Sequence, residues 1–312
     1  MASALASLRG RRVTIVEVGP RDGLQNERAS VPTSEKLAFV ESLADAGLPV
    51  VEVSAFVNPK RVPHMGDAGE LFARLTRRPG TRYSALVPNL QGLERAIAAG
   101  VTEVAIFAAA SEAFSRANIN ASIDASFETY AAVCARARAA GLRVRGYLST
   151  AFGCPYEGHV PADRVVMLTG RLLDLGVFEV AVSDTIGIAH PGQVDALLDR
   201  LEPVVPLQHV ALHFHDTRGT ALANVLTGLT RGITTFDASA GGLGGCPYAP
   251  GASGNLATED LVYMLDGLGI ETGVSLEGVA AASARIEAGL DHALPSRYVQ
   301  ATRARRRPDR TT

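Results

Sequence analysis

The 312-residue sequence predicts an α/β protein, a single (β/α)8 TIM barrel with extra C-terminal helices. Short β-branched or apolar runs alternate with longer helical patterns along the chain, which is the repeat of a closed barrel. Several helical patterns stop at a glycine, where the left-handed end of a helix is easily adopted. A chain of this length can bury one large core, and no linker-like change of composition divides it into domains.

The expected elements follow one another in a regular order. Helical spacing of apolar residues is clear in the stretches 34–46, 90–99, 123–140 and 162–175. Strands are predicted near 13–18, 50–53, 82–86, 103–107, 143–148, 179–183, 209–213 and 234–237. We expect the barrel to cover about 13–275, followed by a C-terminal helical segment at about 276–300 and a disordered basic tail at 303–312.

An open, doubly wound sheet is the alternative fold for this alternation of strands and helices. That fold usually carries a glycine-rich phosphate-binding turn after its first strand. The corresponding segment here is Gly-Pro-Arg-Asp-Gly at 19–23, which lacks that pattern. The closed barrel is therefore preferred.

Composition excludes several classes of function. The formal net charge of −2 argues against a general nucleic-acid-binding surface, and no apolar run approaches the roughly 20 residues of a membrane-spanning helix. The three cysteines lack the C-x-x-C spacing of a zinc site and indicate reduced thiols. Arginine greatly outnumbers lysine, as in proteins from GC-rich bacterial genomes, so we expect a cytoplasmic enzyme without organellar targeting.

Polar side chains stand at the carboxyl ends of several predicted strands. In a (β/α)8 barrel these ends meet at one face, where reactive groups collect. The glycine-rich segment 241–255 follows the last strand and belongs to the same face. The candidate residues are Arg21, Asp22, Glu52, Asp184, His213 and His215.

His213 and His215 are two residues apart at a strand end, so both imidazoles project to the same face. This geometry could chelate a metal ion, whereas a pair of hydrogen-bonded core histidines is the competing interpretation. Asp22, Glu52 and Asn255 supply oxygen donors, and thiol ligands are scarce nearby. Such a mixed set of donors favours Mg²⁺ or Mn²⁺ over structural zinc.

Arg21 has two interpretations as a neighbour of Asp22. It forms either a surface ion pair or a fixed cation that stabilises a developing enolate oxygen. Glu52 ends a very apolar strand, so its carboxylate needs a partner, and Arg21 is available. A purely structural salt bridge between the two is the alternative.

The glycine-rich run 241–245 has the composition of a mobile lid, and it ends next to the thiol of Cys246. A second Gly-Cys-Pro-Tyr sequence follows the fifth predicted strand, at 153–156. The local pattern therefore does not decide whether Cys246 or Cys154 reacts, and an inert buried thiol is the alternative for each.

Several long motifs occur together along the sequence. The segment 16–27 reads Val-Glu-Val-Gly-Pro-Arg-Asp-Gly-Leu-Gln-Asn-Glu, and 183–187 reads Ser-Asp-Thr-Ile-Gly. The most distinctive motif is 241–265, which contains the cysteine and the glycine-rich run, and further motifs are 56–60, 63–67 and 153–158. Together these motifs resemble the hydroxymethylglutaryl-CoA lyase family, a group of metal-dependent barrel lyases related to the Claisen synthases, and the resemblance covers about 13–274.

The resemblance implies roles for individual residues. It implies that Arg21 polarises a thioester carbonyl and holds the enolate, that Glu52 fixes Arg21, and that Cys246 is a lid thiol needed for turnover. Asp184 and Glu259 match further polar active-site positions, and His213, Asp184 and a metal-bound water are the alternatives for the first base. The implied metal ligands are Asp22, His213, His215 and Asn255.

The implied activity is metal-assisted cleavage of hydroxymethylglutaryl-CoA to acetyl-CoA and acetoacetate, in leucine degradation, by a homodimer. No residues are assigned to the CoA nucleotide. A lyase for another β-hydroxyacyl-CoA, such as citramalyl-CoA, is the alternative with the same chemistry, and a non-catalytic binding barrel is the alternative from another class. Ser183 stands where the family resemblance leads us to expect glycine, which leaves the acyl-group selectivity open.

Overall fold

The computed structural model describes residues 5–245 and 254–306 and confirms the predicted barrel. Within these residues, eight parallel strands close in chain order, because β1 pairs with both β2 and β8. The strands are β1 Thr14–Glu17, β2 Val50–Ala55, β3 Arg82–Leu86, β4 Glu103–Ala109, β5 Arg143–Ser149, β6 Val180–Asp184, β7 Val210–Phe214 and β8 Thr235–Ala238. Each predicted strand agrees with an observed one to within two residues at each end.

The helices cover the outside of the barrel. They are α1 Thr33–Asp45, α2 Ala68–Arg74, α3 Leu90–Ala98, α4 Glu112–Ile119, α5 Ile123–Ala139, α6 Ala162–Asp174, α7 Pro191–Leu201, α8 Ala221–Thr230, α9 Thr258–Gly267, α10 Leu276–Glu287 and α11 Arg297–Arg306. Short helical turns lie at Gly19–Gly23, Pro63–Met65, Leu207–His209 and Ala240–Gly242. Among the described residues, none of the helices combines the length and the apolar character that crossing a bilayer requires.

The strands have long apolar runs because both of their faces are covered. All six residues of β2 are buried, as are all five of β6 and all five of β7. Parallel strands in a closed barrel pack against the interior on one face and against helices on the other, so strict alternation of polar and apolar residues is lost. A charged residue within such a strand therefore lies in the protein interior and requires a partner.

Helix α3 shows how the local sequence sets the limits of a helix. The side chain of Asn89 accepts a backbone N–H of the first turn and caps the helix, while Leu93 and Ala96 lie on the buried face. The chain leaves the helix at Gly100, whose φ of 73° is readily adopted by glycine. These signals are local, and the predicted range of 90–99 agrees with the observed one.

The C-terminal segment differs from the prediction. Helices α10 and α11 occupy it, but α11 continues to residue 306 and includes the start of the predicted tail. Arg303 donates to Glu287 of α10 at 2.7 Å, which joins the two helices. The prediction of a tail from 303 did not include this ion pair between helices, because charge pattern alone does not indicate it. Residues 307–312 lie outside the described residues.

Candidate metal and active site

A cavity of about 920 Å³ lies at the carboxyl ends of the barrel strands. Its walls include side chains that follow β1, β2, β6 and β7, as the barrel architecture predicts. Five of the polar or aromatic residues in its lining are Arg21, Asp22, Tyr147, His213 and His215. The structure therefore brings four of the predicted site residues, Arg21, Asp22, His213 and His215, to one cavity, whereas Glu52, Asp184 and Asn255 are not in its lining.

Asp22, His213 and His215 form a cluster in which the candidate ligand atoms all lie within 4.8 Å of one another. His213 is on β7, and His215 follows directly after this strand, so the two imidazoles share one face. Both histidines are buried, whereas the side chain of Asp22 is 22% exposed. The cluster is compact enough for all three residues to bind one cation.

Asn255 completes this cluster. It forms an isolated bridge with His215, and its Nδ2 donates to Asp22 Oδ2 at 3.0 Å and to the carbonyl of Leu243 at 3.1 Å. Because both neighbours are acceptors, the amide orientation is defined and its oxygen is directed elsewhere.

Two buried polar atoms of the cluster have no hydrogen-bond partner among the described residues, namely Asn255 Oδ1 and His215 Nδ1. Unpaired buried polar atoms are costly and uncommon in folded proteins. The Asn255 amide lies beside the Asp22 carboxylate, so its unpaired oxygen fits a bound cation, whereas the His215 nitrogen nearest Asp22 is Nε2, at 3.9 Å. The mixture of carboxylate, amide and imidazole donors suits a divalent metal.

The electrostatics of the cluster favour the forms that bind metal. Burial opposes ionisation of Asp22, but the Arg21 guanidinium and the two imidazoles outweigh it and hold the pKa of the carboxyl well below its ordinary value. Burial, aided by the neighbouring His213, lowers the pKa of His215 to about 4, although Asp22 opposes the shift. At neutral pH the cluster therefore contains a carboxylate and a neutral His215 imidazole, as metal ligation requires.

Arg21 lies in the helical turn Gly19–Gly23, directly after β1. Its Nε donates to Glu52 Oε1, and its Nη1 lies 2.5 Å from Asp22 Oδ1. Burial disfavours the cation, but the two carboxylates outweigh this effect and raise the pKa of Arg21 above its ordinary value. The predicted pairing of Arg21 with Glu52 is confirmed, and the result is a fixed cation in the cavity wall.

Tyr147 is a cavity residue that the sequence motifs did not reveal. Its hydroxyl donates to Glu52 Oε2 at 3.0 Å. The centroid of its ring lies 5.3 Å from the guanidinium carbon of Arg21 and 5.0 Å from the guanidinium carbon of Arg145. Arg145 and Tyr147 are two residues apart on β5, so their side chains lie on the same face of this strand. Polar residues with a spacing of two in an apolar strand were the signal that could have identified them.

Asp237 and Arg145 form a second buried support for the metal cluster. Asp237 Oδ2 lies 3.1 Å from His213 Nδ1, and both Asp237 oxygens accept hydrogen bonds from Arg145. Asp237 falls within the predicted eighth strand. A single acidic residue in such a short apolar run belongs to no motif, so the sequence did not single it out. The register of the barrel places it beside His213.

Asp184 and Glu259 are both buried, and they accept hydrogen bonds from neighbouring loops and helices. Asp184 accepts backbone N–H groups of Ile188 and Ala189, and burial raises the pKa of its carboxyl despite these hydrogen bonds. Glu259 accepts the N–H of Gly241 at 2.8 Å and the Ser283 hydroxyl at 2.5 Å, which holds the start of the glycine-rich run. A catalytic role for Asp184 stays a prediction.

The two cysteines of the repeated motif have different surroundings. Cys154 is buried, its Sγ lies 2.9 Å from the Ser111 hydroxyl, and it accepts the N–H groups of Tyr156 and Glu157. These contacts favour a structural role in its own loop. Cys246 lies outside the described residues, although Gly245 immediately before it lines the cavity.

Comparisons with known proteins identify the family of this chain. The model of the HMGL-like family matches residues 12–286. The mitochondrial hydroxymethylglutaryl-CoA lyase of Bos taurus is 51% identical over 292 residues, which cover 94% of this chain and 90% of the relative. The crystal structure of the Bacillus subtilis HMG-CoA lyase has a TM-score of 0.93 and 48% identity, and the match covers 95% of this chain and 99% of that one.

One solved relative also contains ligands. An HMG-CoA lyase from Acinetobacter baumannii, in complex with coenzyme A and 3-methylmalate, has a TM-score of 0.89 and 37% identity. The match covers 93% of this chain and 95% of that one. The likeness to these proteins therefore extends over almost the whole chain.

Proposed function

The chain belongs to the HMGL-like family, and from this premise we propose that it cleaves hydroxymethylglutaryl-CoA to acetyl-CoA and acetoacetate. The observation that carries the proposal is the convergence of Asp22, His213 and His215 with the fixed cation of Arg21 in one cavity. The cleaved substrate has a tertiary alcohol β to a thioester. It therefore needs one group that activates the hydroxyl and another that stabilises an enolate.

We propose that the metal cluster acts on the tertiary hydroxyl of the substrate. Asp22, His213, His215 and Asn255 would hold a divalent cation, and we propose Mg²⁺ or Mn²⁺ from the mixture of oxygen and nitrogen donors. Such a cation supplies positive charge that lowers the pKa of the tertiary hydroxyl. A base takes the hydroxyl proton, and its identity among His213, Asp184 and water stays a prediction.

We propose that Arg21 stabilises the enolate. When the hydroxyl proton leaves, the bond between the carbinol carbon and the carbon next to the thioester breaks, and its electron pair forms the enolate of acetyl-CoA. The Arg21 guanidinium is held in place by Glu52 and Asp22, so it stabilises this charge without reorganising. We assign the return of a proton to the enolate carbon to Cys246.

Cleavage of a panel of thioesters tests this function. Purified protein with Mg²⁺ or Mn²⁺ should release acetoacetate from hydroxymethylglutaryl-CoA, and a chelator should abolish the release. Citramalyl-CoA belongs in the panel as the alternative substrate, and methylmalyl-CoA because one relative was solved with 3-methylmalate. Faster cleavage of either would contradict the proposed acyl group of the substrate but not the proposed reaction. If no thioester were cleaved, the lyase function would be rejected and a non-catalytic binding barrel favoured.

The cellular setting is also proposed from the resemblance and the composition. The family resemblance supports a homodimer and a role in leucine degradation, and the arginine-rich composition supports a bacterial cytoplasmic enzyme. Light scattering of the purified protein measures the mass of the assembly, and a monomer would contradict the dimer. Fractionation of the source cells tests the location.

A further inference from the structure

The Nδ1 side of His213 faces a carboxylate that is not part of the metal cluster. Asp237 Oδ2 lies 3.1 Å from this nitrogen, and Asp237 is 1% exposed. His213 and Asp237 are register partners on the neighbouring strands β7 and β8. Their contact is therefore set by the pairing of the sheet, and not by the conformation of a loop.

Arg145 holds the Asp237 carboxylate from another part of the barrel. Its Nη2 donates to Oδ1 at 2.8 Å and its Nη1 to Oδ2 at 3.2 Å, while its Nε donates to Glu179 Oε1 at 2.8 Å. The two parallel hydrogen bonds define the plane of the carboxylate as well as its position. All three charged residues are buried, so water does not compete for these contacts.

The hydrogen-bond pattern selects one form of the His213 ring. Arg145 is a permanent cation that offers only hydrogen-bond donors, and both oxygens of Asp237 accept from it. The Asp237 carboxylate is therefore ionised and has no hydrogen to donate to His213. The hydrogen between Asp237 and His213 must therefore reside on Nδ1. The lone pair of the neutral ring is then on Nε2, which is left for the cluster with Asp22 and His215.

We propose that Asp237, clamped by Arg145, is a positioning residue of the metal centre that sets the ring orientation and the Nδ1-protonated form of His213. Partners of this kind typically change metal affinity by about 10–100-fold when they are removed. The inference rests on the metal site of the proposed function, and it does not depend on which acyl-CoA is cleaved.

Mn²⁺ affinity of the whole protein tests the proposal. Asp237→Asn should weaken Mn²⁺ binding by about 10–100-fold in isothermal titration calorimetry. Glu103→Gln is the matched control, because Glu103 is also buried and paired with Arg82 and Arg143, but it lies at the start of β4, at the opposite end of the barrel. The control should bind Mn²⁺ as the unaltered protein does. A folded Asp237→Asn variant with Mn²⁺ affinity within about twofold of the unaltered protein would overturn the proposal.

A second measurement needs no change at Asp237. The ¹⁵N chemical shifts of labelled histidine in the metal-free, unaltered protein distinguish the two neutral tautomers, and a His213→Gln variant identifies the His213 signals. We expect hydrogen on Nδ1, and hydrogen on Nε2 would overturn the proposal even if Asp237→Asn fails to fold. Neither measurement uses lyase activity, so failure of the proposed substrate and failure of this inference are distinguishable.

Discussion

Tyr147 donates its phenolic hydrogen to Glu52 Oε2 at 3.0 Å, while the other oxygen of Glu52 accepts from Arg21. The orientation of the Arg21 guanidinium thus depends on a tyrosine that does not contact Arg21 by a hydrogen bond. The Tyr147 ring adds a cation–π contact, since its centroid lies 5.3 Å from the guanidinium carbon of Arg21. A residue of β5 and a residue of β2 together hold the cation that follows β1.

Tyr147→Phe should reduce turnover without abolishing metal binding. The change leaves a buried Glu52 oxygen without its donor, which costs about 1–3 kcal/mol and loosens Arg21. We expect kcat to fall by about tenfold and the Mn²⁺ affinity to remain unchanged, as measured by steady-state kinetics and calorimetry. Tyr83→Phe is the control, because Tyr83 is also buried and its hydroxyl is hydrogen-bonded, but it lies near the start of β3. Equal losses of kcat in both variants would refute the role of Tyr147.

The metal ligands and Cys246 should separate in their effects. His215→Ala removes a cluster ligand, so added Mn²⁺ should no longer raise the melting temperature of the protein. Cys246→Ser should keep the Mn²⁺-dependent rise in melting temperature and lose turnover. Thermal melts with and without Mn²⁺, combined with acetoacetate release, measure both properties. Loss of the Mn²⁺ response in both variants would contradict this separation.

Glu17 should make stability depend on pH. Burial raises the pKa of Glu17 to about 7, although the Thr258 hydroxyl and the N–H groups of Ala240 and Gly19 oppose the shift. The folded protein then binds a proton more tightly than the unfolded chain, whose glutamate titrates near 4.5. The stabilising contribution of the protonated group is complete below about pH 4.5 and is lost as the pH rises to about 7.

Glu17→Gln isolates this contribution. The amide mimics the protonated acid, so the variant should gain stability relative to the unaltered protein as the pH rises, by about 3 kcal/mol in total. Urea unfolding at pH 5 and pH 7.5 measures the free energy of unfolding of both proteins. A constant difference between the two proteins across this interval would show that Glu17 titrates normally in the folded state.

Ser183 should influence the choice of acyl group. It lines the cavity, pairs in register with His213 and donates its hydroxyl to the Ala181 carbonyl at 3.1 Å. Ser183→Gly removes its side chain from the cavity wall and should favour hydroxymethylglutaryl-CoA over the smaller citramalyl-CoA by up to about tenfold in kcat/KM. Ser183→Ala keeps the β-carbon and should show a smaller change. An unchanged ratio in the glycine variant would exclude Ser183 from selectivity.

The order of strands and helices and part of the candidate site could be predicted from local pattern. Apolar periods and helix-ending glycines defined the elements, and the rule that parallel strands present their carboxyl ends to one face placed Asp22 and His213 together. Glu52, predicted at the end of its strand, is instead the third of the six residues of β2. The spacing of His213 and His215 indicated one shared face, because side chains alternate along a strand. These inferences use interactions within a few residues, or a constraint that every closed barrel obeys.

The contacts that hold the site residues in place could be identified only from the folded structure. Arg145 and Asp237 are 92 positions apart in sequence, and as isolated charges within apolar strands they carry no motif that pairs them. Their contact depends on the register and closure of the barrel, and the same applies to Tyr147 with Glu52. Local sequence specifies which side chains a strand turns inward, whereas closure of the barrel determines which of them meet. Buried charges make that pairing obligatory, because each must find a partner without water.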